Sequence, residues 1–148
     1  MKIYVDADAC PKPTKDILFR LAERTQINVI FVANQRLIMP RIPSVKAIQV
    51  SAGFDIADNY IVQQVTAGDL VITADIPLAA EIIDLDASAL NPRGEFYSRA
   101  NVRARLNIRD FMETMRASGI HSGGAPPMSQ RDRMVFANAL DRYVTRNS

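Results

Sequence analysis

Two hydrophobic rhythms alternate along the chain. Ile3-Tyr4-Val5 is a short apolar run that ends in acids, the pattern of a buried strand. Pro11 and Pro13 follow, and proline suits the first turn of a helix; Ile17, Leu18, Leu21 and Ala22 then recur at helical spacing. Residues 27–33, INVIFVA, predict a second strand. A loop with Pro40 and Pro43 leads to a third at Ala47-Ile48-Gln49-Val50. Gly53 breaks the chain, and Asp55 is placed to cap a helix running through residue 67, with Ile56, Tyr60, Ile61 and Val65 on its apolar side and Gly68 as its stop. Leu70-Val71-Ile72-Thr73 predicts a buried strand, Ile76 to Ile83 a short helix, and Ala87 to Leu90 a last strand.

From residue 99 the pattern turns helical, with Val102, Leu106, Phe111, Met112 and Met115 at apolar positions up to Gly119. The stretch 119–128, GIHSGGAPPM, breaks regular structure and reads as a connection or a lid with glycine hinges. Ser129-Gln130-Arg131-Asp132 resembles a capping box with Asp in place of Glu, ahead of Val135, Phe136, Ala139, Leu140 and Tyr143 at helical spacing. Strands alternating with helices predict an α/β domain with a mainly parallel sheet. Residues 1–148 form one expected domain, with 99–148 as its helical C-terminal extension.

Composition narrows the chemistry. A chain of 148 residues that is 48% hydrophobic and 23% charged can offset the entropy of ordering, which excludes a disordered protein. One cysteine excludes an internal disulfide and a cysteine-rich zinc site, and one histidine, His121, leaves no material for a His-rich metal centre. No apolar run approaches the roughly 20 residues of a membrane span, and Asp6 arrives too early for a signal peptide. The expectation is a cytoplasmic protein with no membrane partner and no disulfide-linked one. Charge is uneven: residues 1–92 carry 8 Lys/Arg against 11 Asp/Glu, and residues 93–148 carry 10 against 5. An acidic centre beside a basic half suits a metal-dependent enzyme acting on a polyanion, although basic residues on exposed helix faces give the same count.

The candidate chemistry sits where the predicted strands end. In parallel α/β sheets, ligands bind outside the carboxyl ends of strands. Asp6 and Asp8 follow the first strand, and two close carboxylates repel unless a proton or a cation such as Mg²⁺ or Mn²⁺ intervenes. Thr73-Ala74-Asp75 repeats this logic after a later strand, where Asp75 also precedes Ile76-Pro77 as a helix cap would. Asp58, three residues after Asp55, fits either a capping box or a metal ligand. Asn34 ends the second strand and could orient a phosphate or a water, or simply make a turn. Arg93, after the last strand, could bind a phosphate bidentately, or be an ordinary surface arginine. Cys10 reads as a small buried hydrophobe rather than a nucleophile.

Seven blocks, VDADACP (5–11), VAN (32–34), GFDIADNYI (53–61), GDLVITADIPLA (68–79), LNPRGEFY (90–97), RDFM (109–112) and SQRDR (129–133), resemble the YaiI/YqxD family of bacterial proteins over nearly the whole chain. That family is regarded as similar to the PIN-like nuclease superfamily. The resemblance implies a three-layer α/β fold with a mainly parallel central sheet flanked by helices, with extra helices at the C-terminus. The PIN pattern is an Asp ending the first strand, an acid in a mid-chain helix and a [ST]-x-D block ending a later strand. Asp6, Asp58 and Thr73-Ala74-Asp75 match those places, with Asp8 as an extra acid. The implied activity is cleavage of RNA with Mg²⁺ or Mn²⁺ held by Asp6, Asp8, Asp58 and Asp75, while Thr73, Asn34 and Arg93 bind substrate.

Two other readings compete with this metal-dependent phosphodiesterase. Asp6-Ala7-Asp8 resembles the D-x-D motif of haloacid-dehalogenase-type phosphatases, with Asp6 as nucleophile and Asp8 as acid/base, but no flap segment or later acidic pair accompanies it. A non-catalytic RNA-binding or scaffold protein of the same fold is the third. Against it, only 7% of residues are aromatic and none is Trp, too few for a platform that stacks single-stranded bases.

Overall fold

The protein is described by a computed structural model over residues 1–53, 55–104 and 128–147. Its centre is a five-stranded sheet in the order β3-β2-β1-β4-β5. The strands are β1 (Ile3–Asp6), β2 (Val29–Ala33), β3 (Val45–Gln49), β4 (Leu70–Ile72) and β5 (Ser88–Leu90), and every pairing is parallel. β1 lies in the middle, with Val5 opposite Phe31 of β2 on one side and Ile72 of β4 on the other. The chain builds outward from β1 to β2 and β3, then returns to add β4 and β5, so strand order reverses between β1 and β4. In such sheets the usual ligand position lies outside the carboxyl ends of the strands at a reversal of this kind.

Period-two alternation sorts the side chains into two cores. Ile3, Val5, Phe31 and Ile72 face α1 (Lys12–Thr25) and the C-terminal helix α4 (Gln130–Asn147), which contributes Phe136, Ala139, Leu140 and Val144. Tyr4, Val32, Val71 and Ala89 face α2 (Ile56–Gln64) and α3 (Ile76–Asp84). The result is the expected three-layer α/β arrangement with an all-parallel sheet. α4 forms part of one core: Phe136 and Leu140 are fully buried against the sheet side that α1 covers. The β2–β3 crossover has no helix, and Leu37, Met39 and Ile42 pack its chain against the same core.

Several boundaries differ from the sequence reading. α2 ends at Gln64 rather than at residue 67, because Val65 is extended (φ −68°, ψ 143°) and the Asp69 carboxylate accepts from Thr66 N at 2.9 Å and Thr66 Oγ1 at 3.0 Å. This side-chain turn replaces the helix end assigned to Gly68. Asp55 does not cap α2 with its side chain; it sits in the left-handed region (φ 62°) with no such bond. The capping box at α4 forms: Ser129 N donates to Asp132 Oδ2 at 3.0 Å and Asp132 N to Ser129 Oγ at 3.1 Å. Residues 99–104 are helical, behind a similar reciprocal pair between Ser98 and Asn101. Leu106, Phe111, Met112, Met115, the RDFM block, His121 and residues 119–127 of the Gly/Pro stretch lie outside the described residues.

Candidate acidic site at the strand reversal

The alternation that builds the cores also positions the acids. Asp6 has the parity of Tyr4, and Thr73 has that of Val71, so both stand on the α2/α3 side at the carboxyl ends of neighbouring central strands. Thr73 Oγ1 donates to Asp6 Oδ2 at 3.0 Å and accepts from Asp75 N at 2.9 Å. One hydroxyl thus links the end of β1 to the start of α3. Asp75 caps α3, accepting from Leu78 N at 2.9 Å through Oδ1, with Pro77 in the first turn. The buried Tyr97 hydroxyl donates to the Thr73 carbonyl at 3.2 Å and holds this loop from the other side.

Asp6 is only 9% exposed. Burial pushes its carboxyl above the usual range, the Thr73 hydrogen bond partly opposes this, and the neighbouring Asp75 and Asp8 add to the rise. Asp58, in the first turn of α2, is pushed up to about 7, first by burial, then by Asp75, Asp6, Asp55 and Glu81. No hydrogen bond among the described residues compensates it. Asp58, Asp75 and Glu81 line one pocket of about 170 Å³. Asp6, Asp58 and Asp75 therefore share one electrostatic field. They do not form a closed cage: among the described residues no three His, Cys, Asp or Glu side chains are grouped to hold a metal ion.

The other candidates have hydrogen-bond or ion-pair partners elsewhere, although Asp8 also acts on Asp6. Asp8 follows β1 in a single 3-10 turn (Ala7–Ala9), and its Oδ2 accepts from Asn34 N at 2.8 Å across to the end of β2. Asn34 Oδ1 is buried with no hydrogen-bond partner among the described residues. Arg93 Nη1 pairs with Asp132 Oδ2 at 2.6 Å, which ties the loop after β5 to the N-terminus of α4. The capping-box acid thus also binds Arg93, a pairing the sequence reading missed because the partners are 39 positions apart. Tyr97 and Glu81 were missed as well. The sequence signal for Tyr97 is an aromatic residue soon after the Asn91-Pro92-Arg93-Gly94 turn, where Leu90 and Phe96 form an isolated antiparallel bridge. Cys10 is buried, and burial pushes its thiol up to about 12, which removes it as a thiolate nucleophile. No helix among the described residues is long and apolar enough to cross a membrane.

Comparison with known proteins gives a consistent answer. The family model described as "Uncharacterized BCR, YaiI/YqxD family" matches residues 4–146. A "UPF0178 protein" of Alkalilimnicola ehrlichii is 63% identical over 147 residues, covering 99% of each chain. One of Shewanella amazonensis is 62% identical over 146 residues, covering 99% of this chain and 98% of its own. One of Proteus mirabilis is 62% identical over 144 residues, covering 97% and 95%. No solved structure matches the chain. With a full-length family match and relatives at this identity, the chain belongs to the YaiI/YqxD family.

Proposed function

We propose that the protein is a metal-dependent phosphodiesterase, a PIN-like ribonuclease in its chemistry, centred on Asp6, Asp58 and Asp75. The observation that carries this reading is that Asp6 and Asp75 both raise the Asp58 pKa, beside the place where strand order reverses between β1 and β4. Like charges that act on one another are destabilising unless a proton or a cation is shared.

The donor set suits a hard cation. Carboxylate oxygens are ligands for Mg²⁺ or Mn²⁺. Mg²⁺ commonly takes only one or two carboxylates and completes its shell with water and substrate phosphate, so a closed protein cage is not required. Asp6 and Asp75 would hold the ion, with Asp58 beside them and Asp8 at the edge. The bound cation would supply charge stabilisation and a more acidic water.

The chain's own residues have distinct tasks. Thr73 holds Asp6 in one orientation by donating to Oδ2, which leaves Oδ1 of that carboxylate for a ligand. Asp75 keeps one oxygen on the α3 cap and has the other available. Asp58, pushed up to about 7, can accept or release a proton near neutrality. The excess of basic residues after position 92, ten against five acids, favours an anionic strand such as RNA as substrate.

The test is calorimetric titration of metal-stripped protein with Mn²⁺, beside an Asp6→Asn/Asp75→Asn double variant, followed by cleavage of a fluorescent single-stranded RNA. Binding and cleavage that the double variant loses support the reading. Cleavage that persists in the double variant, or no Mn²⁺ binding with and without RNA, overturns it.

A further inference from the structure

A second cavity adjoins the acids and has different chemistry. It measures about 330 Å³ and lies between the segment after β1 (Ala9, Pro11), the loop after β4 (Ala74, Ile76) and the loop after β5 (Asn91). Single-ligand pockets begin at about this size and are mostly apolar with a few placed polar groups. The β4–α3 loop is shared: Thr73 and Asp75 belong to the acidic site, while Ala74 and Ile76 line the cavity. The two sites are thus opposite sides of one short segment, outside the carboxyl ends of β1, β4 and β5.

Asn91 is the informative wall residue. Its Oδ1 accepts from Arg93 N at 2.9 Å and from Glu95 N at 3.1 Å. Two backbone donors on one atom identify that atom as the carbonyl oxygen and fix the plane of the amide. The Nδ2 donors are left with no hydrogen-bond partner among the described residues, on a side chain that lines the cavity. Ala9, Pro11, Ala74, Ile76 and Pro92 make the apolar part of the wall, and Arg93 also lines it; Tyr97 and the buried Pro92 hold it rigid through bonds to the Thr73 carbonyl and from Thr14 Oγ1.

We infer that this cavity is a nucleobase subsite, taking one base of the bound strand with Asn91 Nδ2 donating to a ring carbonyl; the inference rests on the phosphodiesterase reading. The apolar part of the wall suits the faces of a planar ring, and the fixed Asn91 amide donor selects an acceptor edge. A base seated there places its attached phosphate next to the segment that carries Thr73 and Asp75. The occupant is a base rather than a phosphate, because no charged side chain of the cavity is aimed at it without a partner: Arg93 is paired with Asp132.

Uncharged uridine, titrated into the full chain in the presence of chelator and followed by amide chemical shifts, tests this without metal or turnover. Ala74→Leu fills the slot from an exposed wall position, and Asn91→Asp keeps both backbone bonds while replacing the donors by an acceptor. Uridine is expected to shift the amides of Ala74, Arg93 and Tyr97, and each variant to weaken its binding about tenfold, the worth of one hydrogen bond or of a blocked contact face. Mn²⁺ binding is expected to be unchanged in both. Shifts that map elsewhere, no binding, or an affinity that neither variant alters would overturn the subsite. Loss of the subsite with Mn²⁺ binding and cleavage intact leaves the phosphodiesterase reading standing; uridine binding without either leaves the subsite and removes that reading.

Discussion

Thr73 donates its hydroxyl proton to Asp6 Oδ2 at 3.0 Å, so the ends of two adjacent parallel strands are joined by a side-chain bond beyond the ladder. This bond is the one interaction that opposes the rise in the Asp6 pKa. Replacing Thr73 by Val keeps the shape and removes the donor. Thr73→Val should lower stability by about 1–3 kcal/mol while Asp6 is ionised, and by less as falling pH protonates it, so the loss should be larger at pH 8 than at pH 4. Thr73→Ser should restore most of it. Urea denaturation at both pH values checks this, and an equal loss at both would contradict the role assigned to the bond.

Asp58 governs a pH dependence of stability. Its folded pKa, about 7, lies above the unfolded value of 3.8. The folded state therefore binds the proton more tightly, and the associated stability is complete below about pH 4 and lost as pH rises through about 7. Asp58→Asn carries no such titration. In chelator, the variant should be more stable than wild type at pH 8 by about 1–2 kcal/mol, after allowance for the solvent screening of a partly exposed group, and near equal to it at pH 4. Burial sets this direction first, and the charges of Asp75, Asp6, Asp55 and Glu81 add to it. Thermal melts from pH 4 to pH 8 give the answer, and a less stable variant at pH 8 would reverse the assignment.

Asp75 has two duties that one pair of variants can separate. Its Oδ1 caps α3 at Leu78 N. Asp75→Ala should cost about 0.5–2 kcal/mol, whereas Asp75→Asn, a good N-cap, should cost little. Both should weaken Mn²⁺ binding if the second oxygen is a ligand. Denaturation and calorimetry on the same two proteins separate cap from charge, and full Mn²⁺ affinity in Asp75→Asn would confine Asp75 to capping.

Gly94 holds the loop after β5 against α4. It has φ +96°, and a Cβ placed there would lie 2.7 Å from Phe136 N and from the Val135 carbonyl carbon. Both neighbours are backbone in the middle of a packed helix, so they cannot move aside. Gly94→Ala should destabilise the protein by about 1–3 kcal/mol and loosen the Arg93–Asp132 pair. A urea midpoint unchanged from wild type would show that α4 can shift at little cost.

Much of the architecture was legible because short-range physics writes it. Ile3-Tyr4-Val5 and Leu70-Val71-Ile72 are too apolar and too short for anything but buried strands, and Asp75 before Ile76-Pro77 is a cap by local chemistry. Ser129 and Asp132 were readable as a reciprocal cap for the same reason. The failures came where a side chain outcompeted a backbone rule. Asp69 took the Thr66 donors and ended α2 early, and Asp55 entered the left-handed region and left its carboxyl off the cap. The Arg93–Asp132 pair was not legible either, because Asp132 is brought near only by the docking of α4.

The sequence by itself determined the strand and helix alternation, the acids at the strand ends and the membership of the family, since each depends on residues close together in the chain. Tertiary structure decided which acids share a field. Strand order set β1 beside β4, and that neighbour relation put Asp6 against Thr73 and within the influence of Asp58 and Asp75, while Asp8 turned to Asn34 at β2. Periodicity cannot supply strand order, because any order buries the same apolar strands. It is settled by which helices cover which face of the sheet, and the chemistry at the strand ends follows from that choice.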